Sequence, residues 1–152
     1  MIALIQRVTE AAVRVEGKTV GAIGPGMLAL IGVRREDSMA SADWLLERVL
    51  GYRIFADGQG RMNLSLRDTQ GGLLLVPQFT LAADTRKGTR AGFSTAAAPE
   101  HARELFAALL DRARTAHGPV AGGIFGAHMA VSLVNDGPVT FWLESAAGSA
   151  GG

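Results

Sequence analysis

The sequence predicts an α+β fold: a mostly antiparallel, barrel-like β-sheet core with two main helices packed on it. Three observations predict it. Short apolar stretches bounded by glycine, proline and Asx residues are numerous, which is typical of strands and turns. Only two stretches have apolar residues at helical spacing. These two lie far apart in the chain, so the strand–helix alternation of a doubly wound parallel sheet is absent.

Length and composition favour one globular domain. The chain has 152 residues, of which 48% are hydrophobic and 19% are charged, and it is long enough to bury a full core. We expect a single domain over residues 1–145. Residues 146–152 contain only alanine, serine and glycine, a composition that predicts a flexible tail.

The N-terminal third predicts an antiparallel β-meander. Residues 2–15 alternate in places, which indicates one or two strands with a kink near residues 9–11. Residues 20–23 form a short predicted strand, and Gly24-Pro25-Gly26 predicts a turn after it. The continuous apolar run 27–33 predicts a buried central strand.

Two helices are predicted. The first covers about 40–50 and faces the sheet, with Asp37, Ser38 and Ser41 as candidate capping residues. The second covers 99–116, because proline is well suited to the first helical position and apolar residues follow at helical spacing. Ala98 would cap this second helix and is a poor capping residue.

The remaining apolar stretches predict strands, and the last two predict a hairpin. The sequence Asn135-Asp-Gly-Pro138 combines residues that tolerate left-handed backbone with a proline, so it predicts a tight turn. Composition does not predict whether the Gly137-Pro138 bond is cis, since only about 5–6% of X-Pro bonds in folded proteins are. The other predicted strands cover 52–55, 62–66, 73–76, 129–134 and 139–143.

Charge and cysteine content narrow the function classes. The net charge is +1, so a nucleic-acid footprint would have to be local. Because the chain has no cysteine, disulfides and thiol catalysis are excluded. No apolar run is long enough to span a bilayer, and the first residues do not form a signal peptide. We expect a soluble cytoplasmic protein that needs no metal or cofactor.

No familiar catalytic motif is present, and two segments are candidates for chemistry. Gln78-Phe79-Thr80 follows a buried strand, but Thr80 has no neighbouring base in sequence. Unpaired backbone N–H groups there would be an alternative, oxyanion-type site. Arg86, Lys87 and Arg90 lie in a long glycine-containing loop. Two interpretations of this basic trio stay open: a phosphate contact and a solvated surface. The three histidines, His101, His117 and His128, are expected to be solvated, capping or without a catalytic role.

Several segments, in this order and at this spacing, resemble the D-aminoacyl-tRNA deacylases, also described as D-tyrosyl-tRNA(Tyr) deacylases. The resemblance covers about residues 1–144. The matching segments are Met1-Ile-Ala-Leu-Ile-Gln-Arg-Val8, Glu47-Arg-Val-Leu-Gly-Tyr-Arg-Ile-Phe55, Met62-Asn-Leu64, Gln78-Phe-Thr-Leu81 and Asn135-Asp-Gly-Pro-Val-Thr140.

The resemblance implies a homodimeric hydrolase that removes D-amino acids, and also glycine, from tRNA. It implies that Gln78, Phe79 and Thr80 line the pocket for the aminoacyl group and terminal adenosine, without a metal or cofactor. A cis Gly137-Pro138 dipeptide would reach into the partner's pocket and exclude L-amino acids. Arg7, Phe125 and Met129 are the further residues expected at the selectivity site, and Arg86, Lys87 and Arg90 are expected to bind tRNA.

One residue departs from the family pattern. The family usually has serine before Gln-Phe-Thr, where this chain has Pro77. A mechanism that uses the backbone survives this change, whereas one that uses the serine hydroxyl does not. Two alternatives to a deacylase stay open. One is a non-catalytic module that binds aminoacyl-tRNA or a small ligand, disabled as an enzyme by Pro77, and the other is an unrelated dimeric β-rich structural protein.

Overall fold

The structure, a computed structural model, describes residues 1–147, and it confirms the α+β class. Most of the predicted tail, 146–152, lies outside the described residues. The strands are β1 (Ile2–Val15), β2 (Lys18–Ile23), β3 (Gly26–Gly32), β4 (Phe55–Ala56), β5 (Met62–Leu64), β6 (Gly72–Pro77), β7 (Val120–Gly122) and β8 (Ala130–Glu144). The helices are α1 (Met39–Gly51), α2 (Leu66–Thr69) and α3 (Pro99–Ala116), and a 3-10 turn spans Phe79–Ala82.

The first helix, predicted over 40–50, is α1, and α3 has the predicted bounds. Ser38 is the N-cap of α1, and its N–H donates to Ser41 Oγ at 3.0 Å. Asp37 is instead buried and accepts from the Arg34 N–H at 2.6 Å. At α3, Ala98 makes no side-chain capping bond, and Pro99 opens the helix. No helix within residues 1–147 has the length and apolar character needed to cross a membrane.

Strand β1 is the centre of the main sheet, and the predicted meander is wrong. Strands β2 and β3 both pair antiparallel with β1, and their registers continue, with Ile23 opposite Ala11 and Gly26 opposite Val8. Gly24 and Pro25 therefore interrupt one long partner of β1 and do not reverse the chain. The 14 residues of β1 leave room for both strands along one edge.

Strand β8 follows the other edge of β1, and the predicted C-terminal hairpin is also wrong. Residues 140–144 pair with 2–6 of β1, and residues 130–134 pair with 10–14 in the same antiparallel direction. Between them, residues 135–139 form a bulge, which we call the β8 bulge. Its glycine, proline and Asx residues suit a bulge as well as a turn.

Two parallel pairings complete the sheet beside the antiparallel ones. Strand β6 runs parallel to β3, and β7 runs parallel to β6. A Cβ built on Gly21 of β2 would lie 2.9 Å from the carbonyl oxygen of Gly122 in β7. The two end strands therefore lie close together, and the sheet curls towards a barrel.

Apolar side chains pack on both faces of this sheet. On one face, α1 and α3 cover residues such as Ile5, Met27 and Leu75. The other face has a smaller cluster that includes Val8, Leu28 and Val76. Residues 129, 131 and 133 pack against this smaller cluster and are themselves only partly buried, and two of them, Met129 and Val131, also line the candidate site.

Candidate active site

A cavity of about 430 Å³ opens at the carboxyl end of β6. Its walls come from three places in the chain: the end of β6 with the 3-10 turn, the start of α3, and the segment before and into β8. Four of the residues expected to contact substrate line it, namely Gln78, Phe79, Phe125 and Met129. The other lining residues are Val76, Pro77, Ala97, Pro99, Ala102, Gly126, Ala127, His128 and Val131.

The end of β6 positions Gln78 and Phe79. The Gln78 N–H donates to the carbonyl of Ile31 at 2.7 Å, and the chain then turns into the 3-10 turn. Phe79 is left 60% exposed at the cavity wall. A strand end of this kind holds functional groups on a rigid scaffold.

Thr80 lies beside the cavity and is not one of its lining residues. Its hydroxyl accepts a hydrogen bond from Gln78 Nε2, and within residues 1–147 this is the only side-chain hydrogen bond it makes. A threonine hydroxyl needs an adjacent base to become a nucleophile. The observed partner is an amide, so the geometry favours a role of the turn's backbone and not of the hydroxyl.

Pro77 is the last residue of β6 and lies beyond the residues of β6 that pair with β7. N–H groups of successive strand residues point to opposite sides, and that of Gln78 points to β3. The N–H of residue 77 would point towards β7, which ends at Gly122. The last bond on that side joins the Gly123 N–H to the Leu75 carbonyl at 2.8 Å. Pro77 is therefore compatible with the sheet.

Phe125 and Met129 are held against the opposite wall. The guanidinium of Arg103 lies 4.9 Å from the centre of the Phe125 ring, a cation–π contact. Met129 Sδ is 3.4 Å from the Ile124 nitrogen. A Cβ on Gly123 would lie 2.8 Å from that sulfur, so a larger residue at position 123 would require the Met129 side chain to shift.

The β8 bulge is fixed by Arg7. The Gly137-Pro138 peptide bond is cis, as expected, and Gly137 has a φ of 134°, which disfavours any other residue. Arg7 Nε donates to the Asp136 carbonyl at 3.0 Å, and Nη1 donates to the Ile54 carbonyl at 2.7 Å. Pro138 is exposed and does not line the cavity of its own chain.

Arg86, Lys87 and Arg90 lie together around a shallow cavity of about 550 Å³. Two hydrogen bonds between the backbones of Asp84 and Gly92, 2.7 and 2.9 Å long, close the base of this loop. Arg86 donates to the Asp84 carboxylate from Nε and Nη2, at 2.9 and 2.7 Å. These bonds hold the pKa of Asp84 well below its usual value, so Asp84 neutralises Arg86 at neutral pH.

Comparison with known proteins decides the family. Residues 4–144 match the family model described as D-Tyr-tRNA(Tyr) deacylase. A D-aminoacyl-tRNA deacylase of Thioalkalivibrio sulfidiphilus is 73% identical, over 95% of this chain and 97% of the relative. One from Ralstonia nicotianae is 60% identical, over 96% of this chain and 91% of the relative. This chain belongs to the D-Tyr-tRNA(Tyr) deacylase family.

Solved structures give the same fold. A protein named c-Myc DNA unwinding element binding protein is 38% identical and superposes with a TM-score of 0.92, over 97% of this chain and 100% of the other. A probable eukaryotic D-amino acid tRNA deacylase superposes with a TM-score of 0.81, over 93% of this chain and 97% of the other. At 18% identity, this second likeness shows the fold alone.

The sequence did not reveal one wall of the site in this deacylase-family chain. Ala97, Pro99 and Ala102 line the cavity, yet Pro99 and Ala102 were expected only as the start of a helix and Ala97 was given no role. The available signal was the run of small residues, 96–98, before Pro99. His128, expected to have no catalytic role, is an exposed lining residue.

The other two histidines make backbone contacts. His101 Nε2 lies 2.7 Å from the Asp37 carbonyl oxygen, and His117 Nε2 lies 2.7 Å from that of Gly71. His117 is buried and follows α3 as its C-cap, which agrees with the capping role that was one of the two expected for it. In the part of the chain that the structure describes, no three His, Asp or Glu side chains are grouped to hold a metal.

Proposed function

We propose that this protein hydrolyses the ester bond of D-aminoacyl-tRNA to free D-amino acid and tRNA, and rejects L-aminoacyl-tRNA. One observation carries the proposal: in a chain of the D-Tyr-tRNA(Tyr) deacylase family, Gln78, Phe79, Phe125 and Met129 line one cavity. We place this activity in the cytoplasm, where aminoacyl-tRNA is used.

The proposed chemistry depends on positioning. Water attacks the ester carbonyl carbon, the bond to the ribose oxygen breaks, and that oxygen takes a proton. The N–H groups of Phe79 and Thr80 open the 3-10 turn, and such N–H groups have no acceptor inside the turn. They would stabilise the negative charge on the carbonyl oxygen. The 2′-hydroxyl of the terminal ribose would assist the water, and a covalent Thr80 ester is the alternative mechanism.

A second copy of the chain would supply chiral selectivity. Pro138 is exposed and lies outside its own cavity. Within residues 1–147, β8 pairs only with β1, and its Val134 and Trp142 are each 49% exposed. A homodimer through β8 would cover these side chains. The β8 bulge of one protomer would then enter the cavity of its partner.

Selectivity of this kind acts by steric rejection. Backbone atoms of Gly137 and Pro138 would occupy the space that an L side chain needs, whatever that side chain is. A D side chain would point elsewhere, so many D-amino acids would be accepted. Glycine has no side chain to reject, so glycyl-tRNA, including glycine mischarged on tRNA(Ala), is a further expected substrate.

The proposed activity is tested with matched D- and L-aminoacyl-tRNA that carry the same amino acid. Ester loss should be accelerated for the D form only, and Ala102→Trp, which fills the cavity, should abolish the acceleration. Circular dichroism and melting temperature check that this variant folds. Binding of D-aminoacyl-tRNA without any acceleration would instead establish the non-catalytic module, for which Pro77 is the motivating residue.

The cross-subunit arrangement is tested by mixing two defective chains. Arg7→Ala frees the bulge, so its homodimer should hydrolyse L-aminoacyl-tRNA as well as the D form. Co-expression with an excess of Ala102→Trp places an intact bulge over each open cavity, so L hydrolysis should disappear while D hydrolysis stays. If L hydrolysis persists in purified heterodimers, the bulge acts within its own chain.

A further inference from the structure

A second cavity of about 660 Å³ adjoins the first and contains two exposed aromatic rings. Phe79, Ala97 and Pro99 line both cavities. The rings of Phe79 and Phe93 have centroids 5.3 Å apart and planes inclined by 38°, and they are 60% and 46% exposed. We call this pair the aromatic shelf. Large apolar groups left open beside a binding cavity indicate a ligand that covers them.

The aromatic shelf is held in place from three sides. The Ala96 N–H donates to the Phe93 carbonyl at 3.2 Å, and the Arg35 N–H donates to the Thr95 carbonyl at 3.1 Å. Thr95 Oγ1 donates to the Ala82 carbonyl at 2.7 Å. These bonds tie the loop that contains Phe93 to Arg35 in the segment after β3 and to the 3-10 turn. Phe93 is therefore exposed on a fixed backbone, so little order has to be gained on binding.

Positive charge continues the surface beyond Phe93. Its chain neighbours Gly92 and Ser94 line the cavity that also contains Lys87 and Arg90. In the described range 1–147, neither Lys87 nor Arg90 has a carboxylate within ion-pair distance, whereas Arg86 is paired with Asp84. The surface therefore runs from the aminoacyl cavity over two rings to two unpaired cations. Aromatic platforms beside a positive groove are what single-stranded nucleic acids bind.

We propose that the aromatic shelf stacks the base of the nucleotide that precedes the terminal aminoacylated nucleoside, and that Lys87 and Arg90 contact the phosphates before it. This rests on the proposed function, since it extends the path of the same tRNA strand out of the cavity. A polyanion supplies the negative partner that Lys87 and Arg90 do not have within residues 1–147. A second copy of the chain that packed symmetrically on this surface would instead place its own Lys87 and Arg90 against those of the first copy.

The test compares two substrates of different length: D-aminoacyl-tRNA and the 3′-ester of the same D-amino acid with adenosine alone. For Phe93→Ala, the ratio of kcat/KM for tRNA to that for the short ester should fall about five- to thirtyfold, mainly through KM for tRNA. Phe93→Tyr should restore the ratio because it keeps an aromatic face. Met39→Ala is the matched control, since Met39 is a 43% exposed apolar side chain outside all three cavities.

The charge component has its own measurement. Replacing Lys87 and Arg90 together by glutamine should reduce the salt dependence of KM for tRNA, and Arg86→Gln should reduce it less because Asp84 already neutralises Arg86.

Three results would overturn the aromatic shelf as a base-binding site. In the first two, Phe93→Ala lowers kcat/KM equally for both substrates, or lowers it for neither. In the third, Phe93→Ala changes the sedimentation coefficient, which would make the shelf a contact between copies of the chain. If wild-type protein hydrolyses neither substrate, the proposed function fails separately. Phe93 is then tested by binding of a single-stranded RNA with the 3′-end sequence of tRNA, which Phe93→Ala should weaken if the shelf binds bases.

Discussion

Four of the residues expected at the site line the cavity, and two of them belong to a short contiguous motif. Gln78 and Phe79 follow a buried strand directly, so their placement at a strand end follows from local pattern. Phe125 and Met129 came from the family resemblance and line the same cavity. Ala102 was missed, since only the packing of α3 brings its first turn beside the end of β6, and no local pattern encodes that contact.

Pro77→Ser tests whether the missing serine matters. Proline restricts the unfolded chain, so the serine variant should lose about 0.4–1 kcal/mol of unfolding free energy, measured by urea denaturation. Hydrolysis of D-aminoacyl-tRNA should change by less than about threefold, because the proposed mechanism uses the backbone of Phe79 and Thr80. A gain of a hundredfold or more would show that catalysis depends on a hydroxyl at position 77.

Arg7→Ala should loosen the β8 bulge. It removes charge-assisted hydrogen bonds to two carbonyls, so we expect a loss of about 2 kcal/mol of unfolding free energy and at least a tenfold smaller preference for D- over L-aminoacyl-tRNA. Asp136→Asn is the matched control, because it keeps the carbonyl of residue 136 and weakens only a 3.4 Å exposed ion pair. Equal effects of the two variants would contradict the role given to the carbonyl contacts.

Among the elements, the two long helices α1 and α3 were predicted far better than the short helix α2 and the strand connections. Periodicity and Pro99 define α3 locally. By contrast, Gly24-Pro25 and residues 135–138 have the composition of turns, but whether the chain reverses there depends on β1. Since β1 has 14 residues, it accepts both halves of each interrupted partner. Turn chemistry is read from local sequence, whereas the length of a distant pairing strand is not.

Two neighbouring glycines should respond very differently to alanine. A Cβ on Gly26 would lie 1.9 Å from the Gly72 carbonyl oxygen, while a Cβ on Gly24 would meet nothing within 4 Å. Gly26→Ala must therefore push β3 away from β6 and should cost about 3 kcal/mol or more of unfolding free energy. Gly24→Ala should change it by less than about 0.5 kcal/mol. Similar melting temperatures for the two variants would contradict the close parallel pairing.

At the scale of the whole molecule, β8 is a long edge strand whose free edge, within residues 1–147, is open to pairing with a second chain. Exposed strand edges with apolar side chains pair with other chains unless they are protected. Trp142→Glu places a charge in the proposed dimer contact and should produce monomers at micromolar concentration by analytical ultracentrifugation. Val20→Glu, at a 38% exposed position on β2, should leave the dimer intact. A Trp142→Glu protein that stays dimeric would place the interface elsewhere.

The β8 bulge also constrains how this segment can change in length. It contains five residues, 135–139, opposite three of β1, 7–9, so its excess is an even number. Side chains alternate between the two faces of a sheet, so an even excess keeps Val131 on the same side of the sheet as its β1 partner Val13, and Leu143 on the same side as its partner Ala3. Deleting Gly137 alone would move the side chains of one half of β8 to the opposite face of the sheet. Deleting Gly137 and Pro138 together would leave an ordinary ladder, so this segment tolerates changes in length only in steps of two.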